Sequence, residues 1–473
     1  MSQNASTWRS IVHTLIFHAT KPHILMQSHP GGWSLPSFQF GLRLGFGDVA
    51  LTLHEVRNAL HTDITAVRWT DIHYTREDVQ RQVDIILTLE CNDPARTLPT
   101  YVQWIDRATL ARLPLIFPQQ REVIATCLRE EETRTVPTSR LPWERRGWFR
   151  QVASWIQIQL EQAGRTATGP VEQIRIWGIS CILRVPTTDG MVYFKAGPAP
   201  GLSTREQFPF FFANEAALIK ELAVTYPEHI PSPVAIEVQQ GWMLLEDMGH
   251  VLRVQPVGLW EEALLAFCRI QQASIGQTET LLRIGCLDRS LERLSEHIDT
   301  LMSDTEALSH LDAVEAEQLR EYVPFLKTLC RQLANYDIPS TLVHGDLHVG
   351  NVALQGGKPV FFDWADGCVS HPFLDAVIFW GGVHTLEDAP AARTRLRDAY
   401  LAQWRTYAPM ERLIEAADVA EILGALYHVM RNRDIAANME TPWNTAMYTW
   451  VTFWVRELFG AIAAYERKTS HDR

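Results

Sequence analysis

The segment Thr341–Asp363 constrains the fold more than any other. From Leu259 onward the chain is dominated by apolar residues at helical spacing, and this stretch interrupts them with short apolar runs around a polar loop. Val343-His344-Gly345-Asp346 is followed by Asn351, an Asp-x-x-x-x-Asn spacing. Twelve residues further on, the apolar run Val360-Phe361-Phe362 ends in Asp363. An apolar strand that ends in a carboxylate presents it at the rim of a site, here close in sequence to a second carboxylate and an amide. A chain of 473 residues exceeds one ordinary core, so this island is expected within one of two or three domains.

The rest of the chain divides around a charged stretch. Arg129-Glu130-Glu131-Glu132-Thr133-Arg134, followed by Pro137 and Pro142, reads as an exposed linker. Before it, residues 10 to 128 read as mixed α/β. Strands are expected at Ile11–Phe17, His23–Met26 and Val83–Leu89, and helices at Asp106–Leu113 and Gln119–Leu128. After it come a helix over Trp148–Ala163, strands at Ile174–Trp177, Ile182–Val185 and Val192–Lys195, a helix near Asn214–Ala223 and a strand at Gly241–Leu245. A small β-rich part then gives way to a large helical one.

Composition excludes several classes. With 46% hydrophobic and 21% charged residues the balance is that of a soluble globular protein. No uninterrupted apolar run is long enough to span a bilayer, and the N-terminus lacks a basic region followed by an apolar block, so a cytoplasmic protein is expected. The net charge of −12 argues against a nucleic-acid partner, which needs clustered cations. Seven cysteines without CxxC spacing suit a reducing compartment and argue against a zinc site.

Phosphoryl transfer needs a carboxylate near the attacking hydroxyl, hard oxygen ligands for Mg²⁺ and a cation on the phosphates, and this sequence offers each in order. Asp346 suits the first role, Asn351 and Asp363 the second. HGDLHVGN at His344–Asn351, with FFDWADG at Phe361–Gly367, resembles the aminoglycoside phosphotransferase and choline kinase superfamily. The resemblance is specific in these motifs and looser over about residues 143–473. It implies a bilobal protein-kinase-like fold, with a small β-rich N-lobe and a large helical C-lobe, that uses ATP with Mg²⁺ on small-molecule hydroxyls.

By the same resemblance, Lys195 matches the strand lysine on the α- and β-phosphates, and Glu215 the helix glutamate that pairs with it, with Glu206 as its competitor. Leu244-Leu245-Glu246-Asp247-Met248-Gly249 resembles the interlobe hinge, in which the backbone around Leu245, Glu246 and Met248 reads the adenine edge. The phosphate-covering loop falls at Trp177-Gly178-Ile179-Ser180-Cys181, which has one glycine in place of three, with Ser180 as its side-chain candidate. Asp375, in His371-Pro372-Phe373-Leu374-Asp375, matches an aspartate that braces the catalytic loop, with His344 in a similar role, and His348 is expected as a loop-stabilising donor, with a position facing substrate as the alternative. Acidic and aromatic residues from Asp434 to Tyr448, Glu440 and Trp443 among them, are candidates for the acceptor pocket.

At the other end, Gly31-Gly32-Trp33-Ser34-Leu35-Pro36 and its flanking strands resemble a Nudix-like α/β/α sandwich. By this resemblance the helix that would carry the Nudix metal carboxylates is Val49–Leu60, which with its flank offers only Asp48, Glu55 and Arg57, so a non-catalytic module is expected. The expected organisation, in an α/β and α+β multidomain chain, is a Nudix-like domain over residues 1–135, a linker, helix and N-lobe over 136–250, and a C-lobe over 251–473. The expected activity is phosphotransfer from ATP to an alcohol group. The competing expectations are a pseudokinase-like nucleotide-binding regulator and a nucleotide hydrolase acting through the N-terminal domain. The identity of the acceptor and the oligomeric state do not follow from the sequence.

Overall fold

In the computed structural model, which describes residues 7–76, 80–93, 98–200 and 214–471, the chain separates into two units. One comprises Met1–Ala196 with Met439–Trp443, the other Gly197–Asn438 with Asn444–Arg473. Glu206 lies outside the described residues.

The first unit is built on a seven-stranded mixed sheet. Its strands are β1 (Thr7–Phe17), β2 (Ile24–His29), β3 (Gly32–Ser34) and β4 (Ser37–Phe40), then, after helix α1 (Ala50–Leu60), β5 (Ile64–Arg76), β6 (Gln80–Cys91) and β7 (Val102–Ile105). The order is β3-β2-β1-β6-β5, with β4 on β1 and β7 on β2, and β1 runs parallel to β6. A short helix α2 (Arg107–Leu110) leads to α3 (Arg121–Thr133). Helix α3 lays Ile124, Cys127 and Leu128 on Leu15, Phe17, Met26 and Ile86, the apolar face that strand alternation builds on one side of the sheet.

Two features depart from the sequence expectations. Strand β5 was not anticipated, because bulges between Ala66 and Arg68 and between Trp69 and Asp71 break the two-residue alternation by which strands are recognised. The charged stretch expected as a linker instead completes α3, which ends at Arg134 in the left-handed region. Its glutamates are drawn into ion pairs, Glu130 with Arg140 at 3.0 Å and Glu132 with Arg107 at 2.7 Å, and Glu131 with Arg146.

Beyond α4 (Trp148–Gln162) the same unit holds an antiparallel meander, β8 (Glu172–Trp177), β9 (Ser180–Thr187) and β10 (Gly190–Ala196). In β10 Val192, Phe194 and Ala196 are buried, while Tyr193 and Lys195 alternate onto the more open face.

The unit also takes in Met439–Trp443, a strap from far along the chain. Glu440 accepts from Ser139 Oγ at 3.1 Å and from Arg140 Nε at 2.8 Å. The Trp443 indole N–H donates to Glu144 at 3.0 Å, and its ring lies 5.5 Å from that of Trp69 and 6.2 Å from that of Trp177.

In the second unit, α5 (Glu215–Thr225) precedes the antiparallel pair β11 (Pro233–Glu237) and β12 (Trp242–Glu246) and the short β13 (His250–Val251). Helices α6 (Val257–Ala273), α7 (Thr278–Arg283), α8 (Leu291–Ser303), α9 (Thr305–Ser309) and α10 (Ala313–Ala334) follow, with β14 (Leu287–Asp288) between α7 and α8. The strand-and-loop island comprises β15 (Thr341–Val343), β16 (Val352–Gln355), β17 (Lys358–Phe361) and β18 (Cys368–Ser370). Helices α11 (Phe373–Gly381), α12 (Ala389–Ala402), α13 (Met410–Ala437) and α14 (Trp443–His471) close the sequence. Helix α13 is buried around much of its circumference, as a central helix must be, which is why it shows no single apolar stripe. No described helix is long and apolar enough to cross a membrane.

The strap generates a prediction. Glu144 is buried in the first unit, and burial pushes its carboxyl up to about 7, against Arg68, the Trp443 hydrogen bond and Arg140, with Glu440 adding to the rise. A carboxyl raised above its unfolded value stabilises the fold fully below that value, and the contribution is lost as pH rises through the folded one. Between pH 5 and 8 the wild type should therefore lose roughly 2 kcal/mol more stability than Glu144→Gln in urea denaturation. Equal losses would show that Glu144 is not held as an acid.

Candidate active site

The site is assembled by two hairpin-like excursions that share a base. β15 pairs antiparallel with β18 from Thr341↔Ser370 to Val343↔Cys368, and β16 pairs with β17 from Val352↔Phe361 to Gln355↔Lys358. The loop from His344 to Asn351 leaves β15 and enters β16, while the loop from Phe362 to Gly367 leaves β17 and enters β18. The Phe362 N–H donates to the Asn351 carbonyl at 3.0 Å, so the two loops are fastened to each other where Asn351 and Asp363 stand.

Asp375, in the first turn of α11 and 2% exposed, holds the first loop from below. Its Oδ2 accepts from the His344 N–H at 2.5 Å and its Oδ1 from the Gly345 N–H at 2.9 Å. Gly345 has φ +81°, and a Cβ there would lie 2.4 Å from the Asp366 carbonyl oxygen, so the turn admits only glycine. His344 Nε2 donates to the Phe362 carbonyl at 2.9 Å, and burial lowers its pKa to about 4, so a neutral imidazole does the bracing. Asp363 itself takes φ +67°, a left-handed conformation that aspartate tolerates better than most residues.

Asp346 and Asp366 flank one guanidinium. Arg431 of α13 donates from Nη2 to Asp366 Oδ2 at 2.6 Å and to Asp346 Oδ2 at 3.2 Å. Asp346 keeps 22% of its side chain open to solvent and Asp366 only 2%, so of the two it is Asp346 that an incoming molecule can reach. Burial alone would raise the Asp346 carboxyl. Arg431, with His348, His428 and His344 around it, outweighs burial and holds it down at about 2. For Asp366, burial and the nearby Asp346 and Asp363 carboxylates prevail over Arg431 and push it up. On acidification the sealed Asp366 therefore takes up a proton before the exposed Asp346 does.

His348 differs from its expected role as a donor. Its Nδ1 accepts from the Gly350 N–H at 2.9 Å, which places the proton of a neutral ring on Nε2, 3.9 Å from Asp346 Oδ2. Asn351 is 6% exposed and donates its Nδ2 to the Asp346 carbonyl at 3.0 Å. Arg431 went unrecognised in the sequence: it lies 85 residues beyond Asp346 in an unpatterned helix, and no local signal marks it.

The remaining candidates fall on both units. Lys195 is near the end of β10, and Ser180 opens β9, where its hydroxyl accepts from the Trp177 indole N–H at 2.9 Å across the two-residue turn Gly178-Ile179. A Cβ on Gly178 would lie 2.9 Å from the Trp443 ring. Glu215 is the first residue of α5 and is 4% exposed. Leu245 and Glu246 end β12, and Met248 follows in the turn to Gly249, whose N–H is held by Asp247 Oδ1 at 2.9 Å. Glu440 and Trp443, expected in an acceptor pocket, are instead committed to Arg140, Ser139 and Glu144 in the first unit, because the strap carries them there. Among the described residues, no group of three or more His, Cys, Asp or Glu is arranged to hold a metal ion. An ion bound through Asn351 and Asp363 would therefore draw its other ligands from substrate or water.

Residues 184–413 match the model of the phosphotransferase enzyme family. Solved structures similar to this chain include a macrolide 2'-phosphotransferase type I, 13% identical over 63% of this chain and 96% of that one, with a TM-score of 0.42. An ethanolamine kinase from Plasmodium vivax is 11% identical over 70% of this chain and 94% of that one, with a TM-score of 0.48. A choline kinase from Streptococcus pneumoniae is 10% identical over 65% and 99%, with a TM-score of 0.45. No curated protein matches the chain. The family match supports a phosphotransferase function.

Removing the Asp375 carboxylate strands two buried N–H groups. Asp375→Ala should lower unfolding stability by on the order of 3 kcal/mol in urea denaturation. A change within about 0.5 kcal/mol would mean that the loop does not depend on this brace.

Proposed function

We propose that this chain is an ATP- and Mg²⁺-dependent kinase that transfers the γ-phosphoryl group to an alcohol hydroxyl of a small molecule. The observation that carries the reading is Asp346, an ionised and partly open carboxylate on a loop braced by Asp375 and His344, with Asn351 fastened beside it.

In this reading the acceptor oxygen attacks the γ-phosphorus as the bond to the β–γ bridging oxygen breaks, and its proton passes to Asp346. Arg431 engages Oδ2 of Asp346, so Oδ1 receives the hydroxyl. A carboxylate held this far below the usual range is a weak base. That suits a loose transition state, in which the hydroxyl needs orientation first and gives up its proton late. The Asn351 amide oxygen and the Asp363 carboxylate would hold Mg²⁺, which when bound neutralises charge on the phosphate oxygens. Both are hard oxygen donors, and the Asn351 orientation fits that use.

Lys195 grips the α- and β-phosphates in this scheme, with Glu215 fixing its ammonium, and Ser180 offers a hydroxyl proton from the turn over the phosphates. The Glu246 N–H is already donated to the Ser232 carbonyl at 3.0 Å, so in this reading the adenine edge meets the Glu246 carbonyl and the Met248 backbone, next to Leu245. The accompanying domain reading is a Nudix-like, non-catalytic module over residues 1–135, a linker with a β-rich lobe over 136–250, and a helical lobe over 251–473. Its non-catalytic character is supported by the employment of the candidate carboxylate helix. Asp48 accepts from Arg175 at 3.3 Å, Arg57 donates to the Ile64 carbonyl at 2.7 Å, and Glu55 is the one remaining acidic candidate.

The test pairs turnover with binding. Asp346→Ala should lower kcat for phosphorylation of an alcohol acceptor by about 10²–10⁴-fold. The affinity for ATP, measured by calorimetry, should stay within a few-fold of wild type. Wild-type turnover in the variant would remove Asp346 from the chemistry, and loss of nucleotide binding together with turnover would make its role structural.

A further inference from the structure

The first unit encloses a cavity of about 410 Å³ that the phosphotransfer reading does not use. It opens between β5 and β6, represented by Val67, Arg68 and Thr88, and the C-terminal half of α3 with the segment that follows it. Its volume is within the range of small-molecule sites.

Most charged groups in its wall have partners. Arg140 pairs with Glu130 at 3.0 Å and with Glu440 at 2.8 Å, Arg146 is bound to Glu131, and Arg145 donates to the Arg140 carbonyl at 2.8 Å. Arg68 is held more loosely than these. Its side chain is 10% exposed, its hydrogen bond goes to the Cys127 thiol at 3.5 Å, and its nearest carboxylate oxygen, on Glu130, also stands off at 3.5 Å. A guanidinium carries five N–H donors in a planar fork, and a thiol is a poor acceptor. With its ion pair to Glu130 as long as 3.5 Å, the Arg68 fork can still take a closer, bidentate oxyanion, the group that matches a guanidinium best. Phe17, Val67 and Val136 supply apolar wall on the same cavity.

We propose that this cavity is a binding site for a small organic carboxylate, with Arg68 as the anchor for the carboxylate and the apolar wall covering its body. The site stands apart from the phosphotransfer reading and does not depend on it. Its wall also reaches the strap, since Glu144 lines the cavity and accepts from the Trp443 indole, and Arg140 lines it and binds Glu440. Occupancy at Arg68 should therefore be felt by the Trp443 ring against Trp69 and Gly178.

Calorimetry on the full chain with benzoate and succinate as probes tests the site, with inorganic phosphate as a bare oxyanion for comparison. Saturable one-to-one binding of at least one carboxylate is expected, accompanied by a change in tryptophan fluorescence. Arg68→Met should weaken it at least tenfold. Val136→Glu, at a residue 46% exposed and therefore safe for folding, sets a like charge on the cavity wall and should weaken it as well. Absence of saturable carboxylate binding to the wild type, or equal affinity in Val136→Glu and in a folded Arg68→Met, would overturn the proposal. So would tighter binding of inorganic phosphate than of both carboxylates.

Discussion

The Asp375 carboxylate, accepting from two consecutive backbone N–H groups, is the contact on which the site depends. Each N–H it takes belongs to the turn that starts the His344–Asn351 loop, and both would otherwise be buried without an acceptor. Fixing His344 and Gly345 in this way fixes the left-handed turn at Gly345, which brings its Cα close against the Asp366 carbonyl. From that point the His344 ring reaches across to the Phe362 carbonyl and ties the first loop to the second. One buried carboxylate thus sets the positions from which Asp346, Asn351 and Asp363 project.

Arg431 adds a different kind of control. Two carboxylates that share one guanidinium resist ionising equally, and the protein divides them by exposure. Asp366 is sealed and pushed up, while Asp346 is partly open and held down. The arrangement keeps a full negative charge available at the open carboxylate across the neutral range. It also makes Arg431 a determinant of how strongly that carboxylate can pull a proton, so the same contact governs orientation and basicity.

What was legible in the sequence was local. His344 to Asn351, the Asp363 strand and Asp375 lie within one short stretch, and their spacing carries the loop and its brace. The meander that ends near Lys195 was legible because β9 and β10 keep clean alternation. What escaped was either irregular or distant. Bulges hid β5, and the ion pairs that recruit Glu130 and Glu131 into α3 made a helix of what reads as a linker. Arg431, Glu440 and Trp443 lie on or just beyond a helix buried around most of its circumference, where spacing does not say which neighbour each residue meets. Their partners come from segments as far as three hundred residues away, Arg140 among them.

The central claim is that the γ-phosphorus of ATP ends on an alcohol oxygen. Phosphorus-31 NMR of the full chain with ATP, Mg²⁺ and a mixture of small hydroxyl compounds, amino alcohols and sugars among them, follows that atom directly. The account expects the γ resonance to be replaced by a phosphate monoester resonance that is absent when the hydroxyl compounds are withheld. Conversion of ATP to inorganic phosphate alone, at the same rate with and without acceptor, would contradict it.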